Sequence, residues 1–349
     1  MTSFAETLDP LVAAAKRIYQ EKFGKAVGPD CSMVFAPGRC NLIGEHVDYN
    51  GGFVLPFALP FKTVIVGSKS TQGNGETRVY SSISAGEATV DATFKISNMQ
   101  KGDLYGDLDW ADYVKGTITQ YLADIPADAA IDMIIVSNVP VGAGLSSSAA
   151  LEVAVATFLE ALYNITTVNG VEKALRCQKA EHTWADTPCG IMDQYISAMG
   201  QDGNLLLIDC RSNEYQLVPF GSGGGSVPVL MITNSDVSHN LSGSEYPDRV
   251  RQCNEAVETI AQKYPQVKKL RDATMEMVDE VKIFMPDVNY RRARHCVTED
   301  ARTLNTVEML KVGDFVTVGK VKFIYLGCIY YILCTTFHCQ IPYPSHSYI

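Results

Sequence analysis

Apolar positions along the chain fall into blocks of two periods. Asp9-Pro10 forms an N-cap and first-turn pair, and LVAAAKRIYQEKF behind it repeats its apolar residues at helical spacing. Met33–Ala36 reads as a strand running into Pro37-Gly38. The turn Asn50-Gly51-Gly52 then leads to predicted strands over Phe53–Leu59 and Thr63–Gly67. Thr89–Phe94 and the unbroken apolar run Ile131–Val136 read as further strands, the second a buried one. Helical spacing covers Trp110–Leu122, Ala149–Leu162, Gly170–Trp184, Asp248–Gln262 and Arg291–Leu310, and short strands fit Leu205–Ile208 and Val229–Ile232. Residues 215–226, ending in the run Gly221–Ser226, read as a linker or boundary loop. No repeat is apparent. Strands mixed with helices, without a regular βαβ rhythm, predict an α+β fold.

Composition narrows the class. The 349 residues are 46% hydrophobic and 19% charged, which excludes a disordered chain and leaves core enough for two domains. A net charge of −10 and the lack of any dense basic run argue against a nucleic-acid partner. The ten cysteines are scattered, with no CxxC and no zinc spacing, as expected in a reducing compartment. The N-terminus carries Glu6 and Asp9 where a signal peptide needs a basic start and an apolar run, so a cytoplasmic location is expected. Residues 321–349 differ from the rest, with one Lys and no acid. Their apolar stretch, Phe323–Phe337, falls short of the roughly 18–20 residues that span a bilayer, and no membrane partner is expected.

Three segments carry candidate chemistry. In Val139–Leu151 a strand leads through Gly142, Gly144 and Ser146-Ser147-Ser148 straight into a helix. Glycines let backbone approach a phosphate, and the free N–H groups of a first helical turn bind it. No Lys precedes the serines and no third Gly follows, so this is neither a Walker A loop nor a dinucleotide fingerprint. On composition alone, a Ser-capped helix start fits equally well. The second segment, Arg39–Gly52, packs Arg39, Glu45, His46 and Asp48 into ten positions between Pro37-Gly38 and the NGG turn. It reads either as a solvated loop or as a set of carboxylates for hydroxyl groups with an Arg for developing negative charge. The third, Pro188–Gln194, sets Asp193 among apolar neighbours. Lys179–His182, taken alone, reads as the exposed charged face of a helix.

Together these segments resemble the galactokinase family within the GHMP kinases. The resemblance rests on Gly38–Gly52, Pro140–Ala150, Cys189–Gln194 and Ser244-Glu245-Tyr246-Pro247, and runs from about residue 10 to about residue 320. It implies ATP-dependent phosphorylation of galactose at the anomeric hydroxyl, N-acetylgalactosamine being the alternative sugar. The fold implied has a ribosomal S5-like N-terminal domain over 1–215, a ferredoxin-like C-terminal domain, incomplete here, over 216–320, and a divergent apolar tail over 321–349. Carried over by motif, Glu45, His46 and Asp48 would bind sugar hydroxyls and Gly190 and Tyr246 would line the sugar pocket. Asp193 would act as general base, with Arg39 between the anomeric hydroxyl and the γ-phosphate. Gly142, Gly144, Ser146, Ser147 and Ser148 would cradle ATP. Ser148 and Glu181 would hold Mg²⁺, and Trp110 resembles the family's adenine-stacking Trp. Some relatives of the family are non-catalytic galactose and ATP sensors that lack a Ser-Ala pair in the phosphate loop; Ser148-Ala149 is present here.

The chain also departs from the pattern. The family's Gly-rich third motif is not found, and the match fades at Lys311–Lys320. Residues from about 321 are expected to come from a non-homologous reading such as a retained intron or an alternative exon. Missing strands are expected to leave sheet edges and apolar surface exposed, impairing stability or activity.

Overall fold

The computed structural model describes residues 9–82, 89–102, 110–221, 228–232, 246–324 and 331–334. The Gly-rich run from 222, Ser244-Glu245 and most of the tail lie outside the described residues.

Helix α1 (Pro10–Phe23) opens as the Asp9-Pro10 pair predicts, the Asp9 side chain accepting from Leu11 N at 2.9 Å. Strand β1 (Cys31–Asn41) runs well past the predicted Met33–Ala36, so Arg39 sits on a strand rather than in a loop. The short β2 (Phe53–Val54) is followed by one long strand, β3 (Pro56–Lys69), where the sequence suggested two with a break around Pro60. The pairing explains the difference. Pro37 lies opposite Lys62 and Arg39 opposite Ala58, so Leu59, Pro60 and Phe61 face Gly38 alone across a bulge. There the ladder asks no N–H of Pro60.

Strands β4 (Thr77–Ser82), β5 (Val90–Phe94) and β6 (Ile131–Ser137) complete a five-stranded sheet in the order β1-β3-β6-β4-β5, antiparallel except for β4 against β6. Alternation along the central strands divides the core. Val64, Val66, Ile134 and Val136 face α1. Ile65, Met133 and Ile135 face the helices of the other side, α2 (Trp110–Thr119), α3 (Ser147–Tyr163) and α4 (Gly170–Trp184).

Helix α5 (Met192–Met199) leads into β7 (Asn204–Asp209) and β8 (Glu214–Pro219), which form a three-stranded sheet with β2. Residues 214–219 are therefore a strand, not the linker that composition suggested. Strand β9 (Val229–Ile232) follows, and then α6 (Tyr246–Lys263), α7 (Met275–Glu280), α8 (Asp287–Lys311) and α9 (Phe315–Ile324). A second core joins α4 and α5 to β2, β7, α6 and α8 through Val54, Ile191, Tyr195, Leu206, Ile260 and Cys296. Helix α9 runs through the point where the family-like sequence fades. Beyond it β10 (Tyr331–Cys334) pairs antiparallel with β9, covering an edge that the sequence led one to expect bare. No helix among the described residues is long and apolar enough to cross a membrane.

Candidate active site

Asp193 lies in the first turn of α5, where the helix dipole favours an acid. Arg39, brought in by β1 just past the bulge, donates to both of its oxygens, Nε to Oδ1 and Nη2 to Oδ2, each at 2.7 Å. Such a two-pronged, charge-assisted pair fixes both side chains. The remaining guanidinium nitrogen, Nη1, donates to Gly144 O at 2.7 Å, tying the pair to the loop before α3.

That loop turns through Gly142 and Gly144, both at positive φ, and Ser146 adopts the left-handed conformation at φ 59°. A non-glycine residue held there is strained. Although Ser146 stands at the N-cap of α3, its hydroxyl makes no cap bond; it donates to Asp193 Oδ2 at 2.6 Å. The helix begins at Ser147, two residues earlier than the apolar pattern predicted, and the Ser147 and Ser148 side chains are half-buried in its first turn.

On the other side of Asp193 lies the charged cluster. Gly190 is buried against Asp48 so closely that a Cβ on it would stand 1.9 Å from Asp48 Oδ2; only glycine fits. Gly190 N donates to the Tyr246 hydroxyl at 3.3 Å. Burial, and then the charge of Asp193, push the Asp48 carboxyl up to about 6. His46 adopts the left-handed conformation, φ 63°, and its ring packs 5.9 Å from the Tyr246 ring. Burial, reinforced by the positive charge of Arg249, brings His46 down to about 4, so it works as a neutral ring near pH 7.

Helix α8 clamps this cluster from about 250 residues away. His295 Nε2 donates to Glu45 O at 2.8 Å, Glu299 Oε1 accepts from Gly44 N at 2.9 Å, and Asp300 Oδ1 accepts from Phe53 N at 2.8 Å. The Glu45 carboxylate meets Lys322 Nζ at 2.5 Å. Burial pushes Glu45 upward, Lys322 pulls it down and the neighbouring Glu299 pushes it up again. Lys322 belongs to the segment set aside from the sequence as unlike the rest, and only the packing of α9 brings it here.

Glu181 corrects an expectation. It is 3% exposed rather than part of a solvated charged face, because α4 turns it toward α3 and α5. It accepts from Gln194 Nε2 at 2.5 Å and Cys189 Sγ at 3.3 Å, and the nearby Ser148 hydroxyl favours its charged form. Burial, then the charge of Asp193, push it up to about 7. Gln194 Nε2 also donates to Glu152 Oε2 at 3.0 Å, while Glu152 Oε1 and Gln194 Oε1 are buried without a partner. Glu152 was missed in the sequence; its signal is a charge set among the small and apolar residues of Ala149–Leu159. Among the described residues no three His, Cys, Asp or Glu side chains group to hold a metal by themselves. A neighbouring hydroxyl and carboxylate, Ser148 and Glu181, nevertheless suit Mg²⁺, which takes one or two protein oxygens and completes its shell from phosphates and water. Trp110 opens α2, half-buried against the core of that layer.

The fold and this site define a class. Residues 112–201 match the GHMP kinase N-terminal domain, and mevalonate kinase of Methanococcus jannaschii shares the fold at a TM-score of 0.51 and 15% identity, over 80% of each chain. Residues 17–69 match the galactokinase galactose-binding signature. Human galactokinase is 42% identical over 311 residues, 89% of this chain and 75% of the human protein; bovine galactokinase is 42% identical over 314, with the same shares. The structure of Lactococcus lactis galactokinase complexed with galactose superposes at a TM-score of 0.78 with 27% identity, covering 89% of this chain and 77% of that one. The chain belongs to the galactokinase family.

Proposed function

We propose that this chain transfers the γ-phosphoryl group of ATP to the anomeric hydroxyl of galactose, giving galactose 1-phosphate and ADP. The observation that carries this reading is Asp193, gripped by Arg39 and bonded to Ser146 of the Gly-Ser loop on one side, with Asp48, Gly190 and Tyr246 close by on the other. Residues 1–215 supply the nucleotide loop and most of the sugar cluster, and residues 216–320 close it with Tyr246 and α8.

Glu45, Asp48 and neutral His46 bind sugar hydroxyls, with Gly190 and Tyr246 lining the pocket. Asp193 takes the anomeric proton as the sugar oxygen attacks the γ-phosphorus and the bond to the bridging β–γ oxygen breaks. Arg39 holds Asp193 toward that oxygen and offers positive charge to the transferring group, in a reaction whose catalysis is mostly positioning and electrostatics. Gly142, Gly144, Ser146, Ser147 and Ser148 cradle the phosphates, with Trp110 toward the adenine. Mg²⁺ held by Ser148 and Glu181 supplies charge neutralisation for the phosphates. A cytoplasmic location agrees with the described cysteines being free thiols.

The test is turnover of the purified chain with ATP and Mg²⁺ on galactose and, separately, on N-acetylgalactosamine. Galactose-dependent ADP release is expected, falling by about 10²–10⁴ in Asp193→Ala with ATP binding retained. Ordinary turnover in that variant, or none with galactose in the parent chain, overturns the reading. Preference for N-acetylgalactosamine keeps the chemistry and changes the sugar.

A further inference from the structure

Glu152 is a buried acid of α3 that takes no part in the reaction as described; the helix's other acid, Glu160, pairs with Lys173 and Tyr121. Glu152 is 0% exposed, as is Gln194, its one hydrogen-bond partner among the described residues. A carboxyl group buried this deeply is expensive to keep, and an apolar side chain would fill its place in the helix at lower cost. Its position shows what it does there. It stands four residues after Ser148, on the same face of α3. Gln194 is the residue after Asp193 on α5, and Glu181 lies on α4. One amide nitrogen, Gln194 Nε2, donates to Glu152 Oε2 and to Glu181 Oε2, so both of its protons are committed and the amide plane is set by two carboxyl groups on two different helices. Glu181 lies near enough to the Ser148 hydroxyl for that group to favour its charge, so the chain of contacts starts on α3 at Glu152 and returns to the start of α3.

We propose that Glu152 is a positioning residue: through Gln194 it fixes the rotamer of Glu181, and so sets the affinity of the Ser148–Glu181 pair for the divalent cation that accompanies the nucleotide. This rests on the reading that Ser148 and Glu181 hold that cation. The unpartnered Glu152 Oε1 and Gln194 Oε1 face no solvent, so removing Glu152 leaves Gln194 with a spare donor and takes one restraint from the amide that holds Glu181. Glu152 only accepts from Gln194, and the side-chain carbonyl of Gln offers an acceptor at the same length, so Gln can replace it.

The experiment measures binding of Mn²⁺·ADP by electron paramagnetic resonance, and of galactose by calorimetry, in the full chain. Glu152→Met keeps side-chain length and fills the space. It is expected to weaken Mn²⁺·ADP by about 10-fold or more, the range found when a residue supporting a metal ligand is lost, and to leave galactose affinity within about twofold. Glu152→Gln is expected to restore the cation affinity. Gln194→Met should cause the same loss, and the double variant no more than either alone. Equal loss of cation and galactose affinity in Glu152→Met, no rescue by Gln, or additive losses in the double variant would each overturn the proposal. Absence of Mn²⁺·ADP binding to the unaltered chain overturns the assignment of Ser148 and Glu181 first, whereas binding there that Glu152→Met leaves unchanged overturns the role of Glu152 alone.

Discussion

In the sugar cluster, Asp48 is the residue on which acidity should act. Packed against Gly190 and facing Asp193, it titrates at about 6, while His46 beside it titrates at about 4. A sugar hydroxyl donates better to a carboxylate than to a carboxylic acid. Galactose affinity is therefore expected to fall as pH drops from 7 through 6, with His46 neutral throughout that window. The same group acts oppositely on the unliganded fold. Its raised value means the folded chain takes up a proton between pH 6 and 4 that the unfolded chain does not, so this residue's contribution to stability rises as pH falls. Calorimetric titration with galactose from pH 5 to 8 reads the first effect. Asp48→Asn should flatten the profile over that window at a cost of about 10-fold in affinity. A profile unchanged by that substitution would assign the titration elsewhere.

At the scale of elements, two late helices complete a site begun by an early loop. Helix α8 binds the backbone of residues 44–53 through His295, Glu299 and Asp300, and α9 brings Lys322 to Glu45. Lys322 is 9% exposed, so its pairing is largely desolvated. Lys322→Met would leave Glu45 beside Glu299 with that counter-charge gone. Removing one partner of a buried pair costs up to about 3–5 kcal/mol, and Glu45's partial exposure reduces this to about 1–3 kcal/mol. The loss should be largest above neutrality and shrink on acidification, because burial and Glu299 already push Glu45 upward and a protonated Glu45 needs no counter-ion. Urea denaturation of the parent and the variant at pH 8 and pH 5.5 measures this; an equal loss at both pH values would assign the effect to packing.

For the whole molecule, the open question concerns the end of the chain. The tail carries the acid-free composition that set it apart, yet β10 lies along β9, whose Val229 and Met231 are exposed. An unpaired apolar edge is a template for association. A chain ending at residue 324 keeps Lys322 but lacks β10, and is expected to melt lower and to scatter more light on concentration than the full chain. Equal melting and scattering would mean that the pairing contributes nothing to solubility.

Much of this fold follows from local rules that the sequence displays. The cap at Asp9, the alternation of Val64, Ile65 and Val66, the buried run of β6 and the Gly-Ser entry to α3 depend on residues near one another in the chain, and the pattern located each of them. The sequence motifs also determined the family and singled out Arg39, Asp48, Gly190 and Asp193, which the fold brings together. What they could not show was partnership. The strand through Pro60 depends on a bulge opposite Gly38, and burial of Glu181 on which way α4 faces. Glu152 acquires a role only when α5 sets Gln194 against it, and Lys322 reaches Glu45 across 277 positions only because α9 packs beside the loop. Local propensity and periodicity are short-range properties of a chain. Desolvation and hydrogen-bond pairing between distant residues are set by packing, so the tertiary structure alone decides which charges are buried and what they touch.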